Sequence, residues 1–159
     1  MDKLLKLIND NPNLDIAEIA DMLGKSEQEV RENLDQYTQV GILRGYKPII
    51  NWSKVENAGV TALIELKVIP QKETGFDKVA EYIMEFDEVE SLYLMAGSYD
   101  LAVMVKGNSI QDISSFVSKR LSTIDAVTST ATHFLLKRYK ELGIDMEDRE
   151  ARDIRSMTL

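Results

Sequence analysis

The chain has 159 residues, 44% hydrophobic and 29% charged, with eight Gly and three Pro; this excludes long disordered stretches and leaves room for one ordinary domain or two small ones. A formal net charge of -8 excludes nucleic-acid binding through a general excess of positive charge. The absence of Cys excludes disulfides, thiolate metal sites and a cysteine nucleophile, and fits a reducing compartment.

The opening MDKLLKLINDNPN has an apolar stretch too short, and too broken by Lys6, for a signal peptide. No segment approaches the roughly 18 consecutive apolar residues of a membrane span. The expectation is a cytoplasmic protein with no membrane association. Cutting after Ala58 gives 7 basic against 10 acidic residues before the cut and 12 against 17 after it, so neither part is basic.

Leu4, Leu5, Leu7 and Ile8 wrap one side of a short helix from Asp2 to Asn9, which Asn11-Pro12-Asn13 ends. Asp15 and Glu18 form a capping-box pattern at the start of a second helix that buries Ile16, Ile19, Ala20 and Leu23 and stops at Gly24. Ser26 and Glu29 repeat that pattern and open a third helix, with Val30, Leu34, Tyr37 and Val40 on its inner face and Gly41 closing it. Two capped helices joined by a tight Gly-containing turn, with one helix before them, predict a helix-turn-helix head. The alternative from pattern alone is a three-helix packing module with no DNA role.

Ile42 to Asn51 mixes β-formers with Gly45 and Pro48 and reads as an extended connector or an edge strand, and Trp52 to Gly59 completes the linker. Val60, Ala62, Ile64, Leu66 and Val68 then alternate with Thr61, Glu65 and Lys67 as in a half-buried strand. Phe76, Val79, Ala80 and Ile83 follow at helical spacing. Val89 to Ala96 and Leu101 to Lys106 predict a hairpin about Gly97-Ser98-Tyr99-Asp100. Ser109 and Asp112 open another helix with Ile110, Ile113, Val117 and Leu121 inward, and Val127 to Leu136 is a last strand.

The fold class is therefore α+β, its second part a split βαβ, ferredoxin-like βαββαβ unit. Its helices cover one face of the sheet and leave the other needing a partner, so a homodimer formed by sheet packing is expected. After Tyr139 the chain alternates charges with few apolar anchors, as in a solvated or partner-contacting extension.

The helix-turn-helix pattern, the connector Val40-Gly41-Ile42-Leu43-Arg44-Gly45-Tyr46 and the later Ala96-Gly97-Ser98-Tyr99-Asp100-Leu101 together resemble the Lrp/AsnC family of feast/famine transcriptional regulators, from about Leu4 to about Leu136. The resemblance implies a winged-type helix-turn-helix head at 1–43 and a linker at 44–58. A RAM-like effector-binding and oligomerisation domain follows at 59–138, with a charged tail at 139–159. It further implies a homodimer that assembles into higher homo-oligomers, heads on double-stranded DNA, and a small effector, usually an amino acid, held between sensor domains. The matching effector positions are Gly97, Ser98, Tyr99 and Asp100, with Thr130 and Thr132 in the family's T-x-T pattern. A carboxylate there suits an α-ammonium, and a glycine amide with threonine hydroxyls suits an α-carboxylate. Gly97 and Asp100 also suit a hairpin turn with no ligand. Ser98 stands where the family often has an acidic or amide residue, so the effector's identity is not implied.

The candidate DNA contacts are Lys25, Ser26, Gln28, Arg31, Arg44 and Lys47. Arg31 suits guanine and Gln28 adenine, whereas Lys25, Arg44 and Lys47 sit where phosphates would lie. Glu27, Glu29, Glu32 and Asp35 oppose a polyanion, unlike the basic residues common in this helix of the family. A regulator-derived effector or interaction module that no longer binds DNA is the alternative.

An enzyme is not expected. His133 is the only His and lies on a strand with no acidic cluster at ligand spacing; no P-loop or dinucleotide fingerprint occurs, and Glu147 and Asp148 read as solvated tail. No metal and no cofactor are expected.

Overall fold

Asp2, Asp15 and Ser26 each start a helix by accepting from amides of the first turn, as their sequence positions require. The structure, a computed structural model, describes residues 2–147, and the chain divides into two units between Pro48 and Ile49. In the first, α1 (Lys3–Asp10), α2 (Ile16–Leu23) and α3 (Glu27–Gln39) bury Leu4, Ile8, Ile19, Ala20 and Val30 together. Both capping boxes form: Glu18 N donates to Asp15 Oδ1 at 2.8 Å and Asp15 N to Glu18 Oε2 at 3.0 Å. Glu29 N donates to Ser26 Oγ at 3.3 Å and Ser26 N to Glu29 Oε2 at 2.9 Å.

Gly24 turns the chain between α2 and α3 with φ 64, a left-handed conformation that a side chain would oppose. Asp2 does two jobs. Its Oδ1 caps α1 through Leu4 N at 2.7 Å, while its Oδ2 accepts from Tyr37 Oη at 2.7 Å and ties the start of α1 to α3.

Val40 does not lie on the inner face of α3 but is 62% exposed. It is the C-cap; beyond it Ile42 N and Leu43 N both donate to Tyr37 O, which reverses the chain and packs Leu43 on the helices instead. The connector does not form an edge strand, for no strand lies between α3 and Val60 among the described residues. The wing expected of the head is accordingly absent from residues 2–48.

The second unit is a mixed α/β fold on a four-stranded antiparallel sheet of order β2-β3-β1-β4, with β1 at Val60–Val68, β2 at Val89–Leu94, β3 at Leu101–Gly107 and β4 at Val127–Phe134. Its elements run strand, helix, strand, strand, helix, strand, the order read from the sequence. Ala62, Ile64 and Leu66 pair with Val105, Val103 and Leu101, so one apolar stripe crosses both inner strands. Val79 and Ile83 of α4 (Asp77–Met84) and Ile113 and Phe116 of α5 (Ile110–Phe116) seal this face. The linker meets β1 at Gly59, with φ 80, where an added Cβ would lie 2.5 Å from Gly107 O.

Ile110, expected inward, is 50% exposed. As the first residue of α5 it precedes the buried stripe, which includes Phe116, a residue the spacing did not single out. A π-turn over Val117–Leu121, closed by Ser122 N donating to Val117 O at 2.8 Å, widens the helix and lets Phe116, Val117 and Leu121 all face the sheet. β2 ends at Leu94 and β4 at Phe134, each two residues short of the apolar run.

The tail starts with ordered structure, exposed at residues 142–145. Lys140–Glu141 (β5) and Ile144–Asp145 (β6) form a small hairpin, and Met146 beyond it is buried. Residues 148–159 of the expected tail lie outside the described residues.

The Asp2–Tyr37 bond gives the first unit a definite pH window. Hydrogen bonding from Tyr37 and the α1 amides lowers the Asp2 pKa, and the same carboxylate raises that of Tyr37. A lowered carboxylate contributes stability that is lost as pH falls through its folded pKa. A raised phenol contributes stability that is lost as pH rises through its own. The stability of the helices, followed by circular dichroism, should therefore fall below about pH 4 and above about pH 10. Tyr37→Phe should blunt both limbs.

Candidate functional site

Residues 95–100 connect β2 to β3, and the sheet decides where they sit. Met95 N donates to Asp100 O at 2.8 Å, which closes the loop on itself. Asp100 N donates to Leu66 O at 2.9 Å, and Asp100 Oδ2 accepts from Val68 N at 2.8 Å. The loop is thus fastened to the end of β1, beside a register shift between Lys67 and Val68 where β1 pairs with β4. The Val68 amide points to the β3 side, past the last β1–β3 pair at Leu66 and Leu101, and the Asp100 carboxylate supplies its acceptor.

Thr130 and Thr132 pair with Leu66 and Ile64 across the β1–β4 ladder. Residues directly opposite share a face, so both threonines lie on the helix side of the sheet, half-buried on an edge strand. Asp100 and Thr130 flank Leu66 from opposite sides, two strand spacings or about 10 Å apart. The structure therefore brings the loop and Thr130 to one end of the sheet. Gly97 and Ser98 are exposed there, while Tyr99 is half-buried.

Asp100 has a structural duty that its place in a turn motif did not reveal. A carboxylate on the neighbouring strand's amide is a long-range contact, and no local spacing signals it.

In the first unit most of the candidate DNA contacts are held by local partners. Arg31 Nη2 lies 3.4 Å from Glu27 Oε2, and Gln28 Nε2 donates to Glu32 Oε1 at 2.9 Å. Both pairs stand four residues apart, a signal present in the sequence. Ser26 is the N-cap of α3, with its hydroxyl donating to Glu29 Oε2 at 2.8 Å. Lys25 acts on Asp2 and Glu29, helping to lower both carboxyl pKa values. The Arg44 guanidinium lies against Gly41, where an added Cβ would come within 2.7 Å of Nη2. Lys47 is exposed on the connector.

His133 lies 3.5 Å from Glu65 Oε1 on the sheet face opposite the helices, as a strand contact. Among the described residues no group of three or more acidic or His side chains is placed to hold a metal, and no helix is long and apolar enough to cross a membrane.

Residues 61–144 match the family described as the Lrp/AsnC ligand binding domain. The chain is 46% identical over 142 residues to the uncharacterized HTH-type transcriptional regulator YugG of Bacillus subtilis, covering 89% of this chain and 86% of the relative. It is 29% identical over 137 residues to the HTH-type transcriptional regulator LrpA of Pyrococcus abyssi, covering 86% and 94%. The solved transcriptional regulator NMB0573 of Neisseria meningitidis, in complex with L-Met, superposes with a TM-score of 0.69 at 23% identity, covering 89% of this chain and 93% of that one. The chain belongs to the Lrp/AsnC family, a family of transcriptional regulators and not of enzymes.

Removing the Asp100 carboxylate should loosen the loop before it touches any ligand. Asp100→Ala leaves the Val68 amide without its acceptor and should cost about 1–3 kcal/mol of stability. Asp100→Asn keeps an acceptor oxygen and should cost less. Urea unfolding of the two variants measures the difference.

Proposed function

We propose that this chain is a sequence-specific DNA-binding transcriptional regulator whose assembly or DNA binding responds to a small effector, an amino acid. Residues 1–43 are the helix-turn-helix head, 44–58 the linker and 59–138 a ferredoxin-like, RAM-like sensor domain through which copies of the chain assemble. The observation that carries the reading is the pair of boxed helices α2 and α3 on either side of the Gly24 turn, within a chain 46% identical to a relative named as an HTH-type regulator.

In this reading Gln28 and Arg31 face base edges, with Lys25, Ser26, Arg44 and Lys47 on phosphates. The effector lies against Gly97, Ser98, Tyr99, Asp100, Thr130 and Thr132. The L-Met held by the Neisseria regulator supports an amino acid as effector class. Because Asp100 already holds the Val68 amide, its contribution to an α-ammonium comes through the charge of a carboxylate fixed in place. Effector control requires different affinities for two assemblies, which changes the spacing of paired heads. The location in this reading is the cytoplasm.

The Arg31–Glu27 pair favours a second reading, a regulator-derived effector or interaction module without DNA contact. Four carboxylates on α3 face any polyanion with one arginine. A salt-titrated binding assay with the gene's own upstream region, random duplex and an amino-acid panel separates the two readings. Specific binding that falls with salt and shifts with one amino acid is expected.

Glu27→Gln frees Arg31 and should tighten specific binding by up to about fivefold, as an exposed ion pair is weak. Arg31→Ala should relax sequence preference, whereas Lys47→Ala should weaken all sequences alike. No binding to any duplex at low salt would select the second reading.

A further inference from the structure

Beyond Phe134 the chain stays on the sheet. Leu135 N donates to Thr61 O at 2.9 Å, and Arg138 Nη2 donates to Thr61 Oγ1 at 3.2 Å. The β5–β6 hairpin then turns through Leu142 and Gly143, both at positive φ. Met146 N donates to Tyr139 O at 3.0 Å, and the Met146 side chain is only 8% exposed.

What receives it is the beginning of the same unit. Asn51 Nδ2 donates to Met146 O at 2.6 Å, while Asn51 Oδ1 accepts from Ser53 N at 3.2 Å and so caps the short 3-10 turn Trp52–Lys54. Lys106 Nζ lies 4.0 Å over the Trp52 ring. Asn51, Trp52, Thr61, Lys106, Arg138 and Met146 line a cavity of about 200 Å3. Their polar groups are already engaged: Arg138 also pairs with Glu141 at 3.2 Å, and the adjacent Lys137 pairs with Glu147. Groups satisfied by one another make an intramolecular joint, not a ligand site.

Asn51 stands three residues after Pro48, where the second unit takes over from the first. We propose that residues 137–147 are a clasp that fixes where the linker leaves the second unit and that opens without unfolding the sheet. Met146 is the single buried side chain between 137 and 147 and lies outside the core cluster, so the clasp has one apolar anchor of its own. Each ion pair around it has one exposed partner, Lys137 or Glu141, and one half-buried partner, so both stand at the surface where such pairs are weak. Segments so lightly held open locally below the global unfolding energy.

Trp52 is the only Trp of the chain and lines the joint, so its fluorescence in the full-length protein reports the clasp directly. In Met146→Asp, acrylamide quenching of Trp52 should rise about twofold or more, and amide exchange at Lys54 and Val55 should accelerate about tenfold, with the melting of the sheet unchanged. Leu142→Lys, at a tip that is 84% exposed, should change neither readout. Truncation after Leu136 should reproduce Met146→Asp. Unchanged quenching and exchange in both anchor variants would overturn the clasp; so would loss of the sheet's own melting transition, which would make residues 137–147 part of the core. Every readout comes from the second unit, so the result stands apart from the DNA-binding reading.

Discussion

One strand organises the second unit. β1 is hydrogen-bonded on both edges, and its residues at even numbers from Ala62 to Val68 are all buried beneath the two helices. Side chains alternate strictly along a strand, so this burial fixes the face of every residue paired to β1. Thr130 and Thr132 are on the helix side because Leu66 and Ile64 are; His133 is on the other because Leu63 is. A slip of one residue would exchange both sets and bury Glu65 and Lys67, at a cost the unit could not meet.

Where local rules govern, the sequence was readable. The capping boxes at Asp15 and Ser26, the stop at Gly24 and the period-2 stripe of β1 each depend on residues within a turn or two of one another. The departures arise where distant groups decide. Val40 fits the helical stripe, yet the chain reversal onto Tyr37 O gives its place to Leu43. Ile110 fits as well, but the π-turn alters which residues of that helix face inward. Met146 sits in a charged run that reads as solvated, and only its meeting with Asn51, ninety-five positions earlier, buries it.

The candidate residues divide in the same way. Family motifs located the β2–β3 loop, and the sheet placed Thr130 at the same end. The hydrogen bond from Val68 to Asp100 was not legible, because it joins the end of β1 to the residue just before β3, thirty-two positions on and past the last pair of that ladder. On α3 the reverse holds. The pairing of Arg31 with Glu27 and Gln28 with Glu32 follows from i,i+4 spacing, so the limit on the proposed base contacts was written into the helix.

The fastening of the β2–β3 loop bears on the entropy of recognition. A free six-residue loop would lose backbone freedom on closing over a small molecule, at roughly 1 kcal/mol or more per residue ordered. Residues 95–100 are already tied at Met95 and twice at Asp100, so much of that ordering is complete when the protein folds. A ligand of few atoms has little contact energy to spend on arranging its host. In the proposed reading, a loop already held by the neighbouring strand leaves less ordering for an amino acid to complete, and its fastening at Leu66 and Val68 links any ligand there to β1.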